Sequence, residues 1–426
     1  MTDFGNLNYG IIETRHIILR DYIERHEARI LDVAYVDGHH PSVKLNGLQL
    51  SSTYAPELEA SQQAATLPLT CEITIYGSGL GFLPQELLKR TDLKKLNVKI
   101  INLDLFIVAL TFRDQRDWLS DHRVQITLAR DDEEILTPFF CSPAELRTIE
   151  PECCNIKECL ESDINQRFIS REFAKLKPKL TERIETNLLI NSAGRLDQFF
   201  GSVPDGIALL LGAGPSLSSN RDHITRFFEH KTGPIIAVDA ATKFLHENRV
   251  IPDFVVCIDH EYPLDKLFFY DNADVTLVFS PQIRPEIVNA WQGRRFLFMS
   301  PTGLLEQYIT SEHVQLMSGG SVIHPAAELA VKLGVKNIQM SGVDFAFPDG
   351  KTHSGWKNGD LYTVDLNATK EVEDVSGLGV PTTQNMLGYK VELERLISRN
   401  PEVVFHNLSP IGAKIRNCAQ TRGTLT

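Results

Sequence analysis

Glycine and serine residues in the segment Gly212-Ala-Gly-Pro-Ser216 have the type and spacing of an anion-binding turn. Five apolar residues, Ile207–Leu211, precede this segment and predict a buried strand, and a polar helix start follows it. Glycine lets a backbone approach a ligand closely, and unpaired N–H groups at the start of a helix attract phosphate groups. The segment therefore predicts a site for an anionic ligand, with a tight turn that binds nothing as the alternative.

Acidic side chains follow three further predicted strands, at Asp239, Asp259 and Asp344. The carboxyl ends of parallel strands meet at one edge of a sheet, where the ligands of such folds bind. We therefore expect the three carboxylates on one rim, within reach of a shared ligand. The alternative for each aspartate is a helix cap, which is a common role for this residue after a strand.

The stretch Ser318-Gly-Gly-Ser321 lies directly before a predicted helix. Its backbone N–H groups suit a phosphate or a carboxylate, and a plain loop with an N-cap is the alternative. His353 lies in a polar, glycine-containing loop just after Asp344, where an imidazole is placed for general acid–base catalysis. The alternative for His353 is a surface histidine without a role.

An alternation of strands and helices from residue 207 onward must position these residues. Such alternation predicts a mostly parallel sheet with helices on both faces. The predicted strands are Ile207–Leu211, Pro234–Asp239, Phe254–Ile258, Thr276–Phe279, Arg295–Met299 and Asn337–Ser341. The predicted helices are Asn220–His230, Ala241–Arg249, Glu286–Trp291 and Ser321–Leu333.

A Rossmann-like unit is predicted over residues 71–129, where the turn Gly77–Gly81 follows a strand. Two features depart from a dinucleotide-binding fingerprint. Gly81 falls one position early, and Asn102 stands where an acidic residue would meet a ribose. The unit is therefore either a scaffold without a ligand or a nucleotide site. Its predicted elements are strands at Cys71–Tyr76, Val98–Ile101 and His122–Leu128 and a helix at Leu83–Arg90.

The chain has 426 residues and a formal net charge of −12, which argues against a duplex nucleic-acid binder. No apolar run approaches the ~20 residues that span a bilayer, and the N-terminus lacks the pattern of a signal peptide. The seven cysteines lack the paired spacing of a zinc site and favour a reducing compartment. We therefore expect a cytoplasmic protein with no nucleic-acid partner and no membrane span.

Shifts in composition predict four segments. These are a mixed N-terminal segment (1–70), a Rossmann-like domain (71–140), a helical connector (141–205) and a nucleotide-binding catalytic domain (206–426). The predicted fold class is α/β, with a Rossmann-like N-terminal unit and a mostly parallel, doubly wound core domain.

Several motifs occur in one order along the chain, from Gly-Ala-Gly-Pro-Ser-Leu through Ile258-Asp259, Ser-Gly-Gly-Ser and Ser-Gly-Val-Asp-Phe to Thr-His-Ser-Gly. In this order they resemble the motility-accessory-factor (Maf) family of flagellin glycosyltransferases. The same core is similar to archaeal hydroxymethyl-dihydropterin diphosphokinases and to bacterial sialyltransferases that use CMP-sialic acid. The resemblance covers residues 207–360 well and 50–130 moderately, and it implies a sialyltransferase-like core domain.

The resemblance implies transfer of a nonulosonic, sialic-like acid from its CMP form to a Ser or Thr hydroxyl of flagellin or another surface acceptor. It implies a direct displacement in which backbone N–H groups at Gly214–Ser216 and Gly319–Ser321 stabilise the phosphate. The implied catalytic residues are Asp239, Asp259 and His353. The implied nucleotide-binding residues are Gly212, Gly214, Pro215 and Ser216; those for the phosphate or donor carboxylate are Ser318, Gly319, Gly320 and Ser321; the pocket wall is Gly342, Val343 and Asp344.

Two alternative functions stay open. The first is a diphosphokinase that moves diphosphate from ATP to a pterin alcohol, for which Asp239 and Asp259 would hold Mg²⁺. The second is a non-catalytic nucleotide-sugar-binding protein of the same fold. The residues before 206 favour the glycosyltransferase, because a bare pterin kinase would need no such domain, and glycosyl transfer needs no obligatory cofactor. The helical C-terminal region of longer Maf proteins is expected to be short or missing.

Overall fold

The computed structural model describes residues 3–27, 32–190, 194–357 and 370–420. The chain divides into two compact units, Met1–Glu161 (unit 1) and Ser162–Thr426 (unit 2). The division lies inside the segment predicted as a helical connector. Within the described ranges, no helix is both long and apolar enough to cross a membrane.

Unit 1 begins with two helices and a small antiparallel sheet. The sheet has three strands in the order β1-β2-β3, within the segment that the sequence describes as mixed. Proline is tolerated in the first turn of a helix, and Pro56 occupies that position in α3. The bounds are α1 Asp3–Arg15, α2 Ile17–Arg25, β1 Val33–Val36, β2 Ser42–Leu45, β3 Leu48–Gln49 and α3 Pro56–Ala65.

The rest of unit 1 confirms the predicted Rossmann-like unit. Its sheet is parallel throughout, in the order β6-β5-β4-β7. Strand β7 was not predicted, because its three residues are too short to show a period. The bounds are β4 Glu72–Tyr76, α4 Phe82–Leu87, β5 Lys95–Ile100, α5 Leu103–Phe112, α6 Arg116–Leu119, β6 Val124–Leu128, β7 Phe139–Cys141 and α7 Pro143–Arg147.

The segment around the unit boundary is helical, as its patterning predicts. Helix α8 spans Cys154–Lys175, and α9 spans Lys177–Leu188. In α9, Leu180, Ile184 and Asn187 share one buried face at helical spacing. Helix α9 therefore joins unit 2 through an amphipathic face, and Asn187 donates to the carbonyls of Pro281 and Ile283, both at 2.9 Å.

Unit 2 is built on an eight-stranded parallel sheet in the order β12-β11-β10-β9-β8-β13-β16-β17. All six predicted strands are present. The central strands are buried along almost their whole length, which explains why they read as continuous apolar runs. The strands are β8 Ile207–Leu211, β9 Ile235–Val238, β10 Phe254–Cys257, β11 Thr276–Phe279, β12 Arg295–Leu297 and β13 Asn337–Ser341, followed by the hairpin β14 Lys370–Glu373 and β15 Gly379–Thr382, then β16 Val404–Asn407 and β17 Ala419–Gln420.

The four helices predicted after residue 207 are also present, whereas α14 was not predicted. The bounds are α10 Arg221–Glu229, α11 Thr242–Glu247, α12 Pro285–Ala290, α13 Ile323–Lys332 and the additional α14 Gln384–Ser398. The strand order reverses at β8, since β9 pairs with one side of it and β13 with the other. Ligands of open α/β sheets bind at such a reversal, beyond the carboxyl ends of the strands.

Candidate functional site

A cavity of about 790 Å³ lies at the carboxyl ends of the strands of unit 2. Most of the residues that the sequence places at a common rim line this cavity. Three do not, namely Pro215, Ser216 and Gly319. The lining residues among the predicted set are Gly212, Gly214, Asp239, Asp259, Ser318, Gly320, Ser321, Gly342, Val343, Asp344 and His353.

The glycine-rich turn after β8 is closed by the protein itself. The N–H of Gly212 donates to the Ser341 carbonyl at 2.9 Å, and the N–H of Gly214 donates to the Gly342 carbonyl at 2.8 Å. The Ser216 N–H donates to the Asp344 carboxylate at 2.7 Å. The expectation that the amides of Gly214 and Ser216 face a phosphate is therefore wrong in this structure.

The glycines of this turn are required by the neighbouring strand end. A Cβ atom on Gly212 would stand 2.3 Å from the Gly342 carbonyl oxygen, and one on Gly214 would stand 2.4 Å from Oδ2 of Asp344. Both distances are far below van der Waals contact. The turn therefore needs glycine because it packs closely against the end of β13. The amide of Ala213 has no hydrogen-bond partner among the described residues, and Ala213 lines the cavity.

Asp344 holds two segments together. Its Oδ2 accepts from the Ser216 N–H, and its Oδ1 accepts from the Ser409 hydroxyl at 2.5 Å. Burial raises the pKa of this carboxyl, while the hydrogen bonds from Ser216 and Ser409 oppose the rise. Asp344 thus lines the cavity just beyond the end of β13, and it satisfies an amide of the glycine-rich turn.

Asp239 and Asp259 lie at the ends of the adjacent strands β9 and β10. Asp239 is 3% exposed, and its Oδ1 accepts from the Ala240 N–H at 2.7 Å. Its Oδ2 is buried and has no hydrogen-bond partner among the described residues. Burial, with the negative charge of Asp259 adding to it, raises the pKa of Asp239 to about 7. Asp239 is therefore a carboxyl group that gains or loses its proton near neutral pH.

The loop Ser318–Ser321 also uses part of its backbone internally. The amides of Gly319 and Ser321 donate to Nδ1 of His324, at 3.1 and 3.4 Å. These two amides are therefore not the anion donors that the sequence predicts. The amides of Ser318 and Gly320 have no partner among the described residues, and both residues line the cavity.

His353 lines the cavity from a loop that is tied to the sheet. The adjacent Ser354 N–H donates to the Ala213 carbonyl at 2.9 Å, and the indole N–H of Trp356 donates to the Ala240 carbonyl at 3.1 Å. The imidazole is half-buried and has no hydrogen-bond partner among the described residues, and burial lowers its pKa below the usual value. His353 is therefore neutral at pH 7 and available to take a proton.

Several cavity residues were not predicted. His260 is the residue after Asp259, and Tyr262 lies two positions further on. Their place after a strand end is a signal that the sequence did contain. Tyr389 lies on α14, which is remote in sequence and carries no local signal. Burial raises the pKa of both tyrosines, which keeps their hydroxyls protonated. The Tyr262 hydroxyl lies within hydrogen-bond distance of the carbonyls of Lys266 and Asp239, at 3.2 and 3.4 Å.

The glycine-rich turn of unit 1 holds a carboxylate of its own chain. Oε1 of Glu145 accepts from the Gly79 N–H at 2.9 Å, and a Cβ atom on Gly77 would stand 2.1 Å from the Glu145 carboxyl carbon. Asn102 caps α5 by accepting from the Leu105 N–H. These contacts favour the scaffold over the nucleotide site for unit 1, since Glu145 occupies the position that a phosphate would take.

Glu145 predicts a pH-dependent stability of unit 1. Burial raises its pKa to about 7, so folding binds an extra proton, and the stability that this gives is lost as pH rises from about 4.5 through about 7. The free energy of unfolding should fall by roughly 3 kcal/mol over that range, and Glu145→Gln should flatten the curve. Hydrogen exchange of β4 and β5 as a function of pH measures the free energy of unfolding of unit 1. Glu57→Gln, at an exposed position, is the control. An unchanged pH dependence in Glu145→Gln would contradict the assignment.

A protein-family model matches the core of unit 2. Residues 179–350 match a family model described as MptE-like, 6-hydroxymethylpterin diphosphokinase MptE-like. The core is similar to MptE-like proteins. The order of the motifs predicts a similarity to pterin diphosphokinases, and this match confirms it. The matched segment contains strands β8 to β13 with Asp239, Asp259 and Asp344, and it ends before His353.

A solved structure, that of a Maf glycosyltransferase from Magnetospirillum magneticum AMB-1, is similar over 98% of this chain and 74% of its own. The sequence identity is 14% and the TM-score is 0.44. No curated protein sequence matches the chain. The family model and the solved structure are each named for a group-transferring enzyme.

Proposed function

We propose that the cavity of unit 2 is the active site of a cytoplasmic glycosyltransferase that moves a nonulosonic acid from its CMP form to a hydroxyl of flagellin or another surface acceptor. One observation carries the proposal. A neutral imidazole without a partner, on His353, lines the same cavity as unpaired amides of Ala213, Ser318 and Gly320. A base and an anion site in one cavity are what a displacement with a phosphate leaving group requires.

The reaction is a single displacement. The acceptor oxygen forms a bond to the anomeric carbon of the donor while the bond from that carbon to the phosphate oxygen breaks, and CMP leaves with the electron pair. His353 takes the proton of the acceptor hydroxyl, and the unpaired amides stabilise the charge that grows on the phosphate. Asp239 and Asp259 line the cavity beside the donor, where carboxyl oxygens can accept from its hydroxyl groups.

A second candidate is the diphosphokinase, which the match of residues 179–350 to the MptE-like family favours. Its Mg²⁺ would be held by Asp239 and Asp259. Oδ2 of Asp239 has no hydrogen-bond partner among the described residues, and a cation would relieve the repulsion between the two carboxylates. The described part of the chain gathers no group of three or more metal-ligating side chains, so waters and ATP phosphates would complete the shell. The ion would neutralise the phosphates of ATP.

Calorimetric titration with CMP and with ATP, each with and without Mg²⁺, tests the proposal. The glycosyltransferase predicts CMP binding that does not depend on Mg²⁺ and is at least about tenfold tighter than ATP binding. Mg²⁺-dependent binding of ATP without binding of CMP would establish the diphosphokinase instead. Binding of neither nucleotide would overturn both enzyme functions.

A further inference from the structure

In the loop Met317–Val322, backbone amides that have a hydrogen-bond partner alternate with amides that have none among the described residues. Its amides at 317, 319 and 321 donate to side chains of α13: the first to the Glu328 carboxylate, the other two to His324. The intervening amides of Ser318, Gly320 and Val322 have no partner among the described residues. Ser318, Gly320 and Val322 line the cavity, as does Ser321, whereas Met317 and Gly319 do not.

The imidazole of His324 fixes which amides turn inward. Nδ1 of His324 accepts from two N–H groups, so this nitrogen carries the lone pair and the proton resides on Nε2. Nε2 then donates to the Tyr389 carbonyl at 2.9 Å. His324 is 1% exposed, and its burial lowers the pKa to about 4, so this neutral form persists at pH 7.

The loop is clamped on its other side by α14. A Cβ atom on Gly319 would stand 2.6 Å from Cγ of Glu392, and one on Gly320 would stand 2.9 Å from the ring of Tyr389. Gly320 also has a φ of +93°, which favours glycine. The loop therefore has little freedom to turn its amides, and preorganised donors of this kind bind developing charge without reorganisation cost.

We propose that His324 is a positioning residue, which holds the amides of Gly319 and Ser321 so that those of Ser318, Gly320 and Val322 face the anionic group of the substrate. The inference rests on the proposed function, because that function supplies the anion, either the phosphate of CMP or the carboxylate of the sugar. His324 itself does not touch the substrate in this arrangement and acts through the loop.

Two substitutions distinguish the role of Nδ1 of His324 from that of Nε2. In His324→Asn, the side-chain oxygen takes the place of Nδ1 and continues to accept from Gly319 and Ser321. In His324→Gln, the amide nitrogen takes the place of Nε2 and continues to donate to the Tyr389 carbonyl, while no acceptor remains near Nδ1. His324→Gln loses the acceptor of two amides, whereas His324→Asn loses one hydrogen bond and, being one methylene shorter, more volume. A general packing defect would therefore affect His324→Asn more, which is the opposite of the effect expected from loss of the Nδ1 acceptor.

The experiment measures dissociation constants for CMP, cytidine and N-acetylneuraminic acid by calorimetry in the wild type and both variants, together with the melting temperature. We expect His324→Gln to weaken binding of CMP or of the free acid about tenfold or more, with cytidine unchanged and with His324→Asn within about threefold of the wild type. A loss for CMP assigns the loop to the phosphate, and a loss for the acid assigns it to the carboxylate.

Equal losses in both variants, or no loss in either, would overturn the positioning role. Amide chemical shifts on addition of inorganic phosphate provide a readout that does not depend on the nucleotide. The inference predicts shifts at 318, 320 and 322 in the wild type and their loss in His324→Gln. If the wild type binds no CMP while these shifts occur, the proposed function fails and the positioning role stands; if the shifts are absent, the positioning role fails.

Discussion

Replacing His353 with glutamine is expected to lower the rate of CMP release from CMP-sialic acid in the presence of an acceptor by a factor of about 10² to 10⁴. Glutamine has a similar length and can still form hydrogen bonds, but it cannot take a proton at neutral pH. The affinity for CMP should stay within about twofold, because the loss concerns proton transfer and leaves binding intact. The measurement is steady-state kinetics with calorimetry of CMP on the same samples.

The pH dependence of the same reaction follows from the burial of His353. Burial lowers its pKa below the usual value, so kcat/KM should rise as pH increases through a value below 6.5 and level off above it. His230→Gln is the matched control, since His230 is exposed at the end of α10. A His353→Gln variant that retains the wild-type rate, or a profile that falls with rising pH in this range, would exclude His353 as the base.

The parallel sheet of unit 2 could be predicted because its strands are buried on both faces. Segments such as Leu209–Leu211 and Val255–Cys257 consist of apolar residues with no exposed side, and such runs are visible without knowledge of the partner strands. Strand β16 could not be predicted in this way. Its pattern alternates between exposed and less exposed residues over four positions, and its place beside β13 depends on pairing across more than sixty residues.

The residues of the candidate site could be predicted better than their roles. A strand end is a local property, so Asp239, Asp259 and Asp344 could be placed at the rim from their own segments. Which amides remain free depends on partners that are distant in sequence. The Ser216 N–H is taken by Asp344, which lies 128 residues away, and no local pattern indicates that pair.

In each of the two glycine-rich turns, a backbone amide donates to a carboxylate of the same unit. In unit 1 the Gly79 N–H is satisfied by Glu145, and in unit 2 the Ser216 N–H is satisfied by Asp344. In both units a buried carboxylate from a later element occupies the turn where a phosphate would bind in a nucleotide domain. A glycine-rich turn after a strand is therefore a signal for an anion in this chain, and in each turn a carboxylate side chain accepts from one of the amides.

The second large effect concerns Asp239 and the stability of unit 2. Its pKa of about 7 lies above the ordinary aspartate value of 3.8, so the folded state binds a proton that the unfolded state has released. The contribution is fully present below about pH 4 and is lost as pH rises through about 7. Asp239 should contribute a fall of up to about 4 kcal/mol in the free energy of unfolding across this window, and in Asp239→Asn the total fall should be smaller by that amount.

Hydrogen exchange of β9 and β10 as a function of pH measures this effect in unit 2 apart from that of Glu145 in unit 1. Asp259→Asn removes the negative charge that helps to raise the pKa of Asp239, so it should move the midpoint of the decline to lower pH. Asp271→Asn, at an exposed turn, should leave the curve unchanged. A decline of unchanged size in Asp239→Asn would contradict the assignment, whereas a decline that is smaller by the expected amount would identify Asp239 as a carboxyl that changes charge at the rim of the cavity.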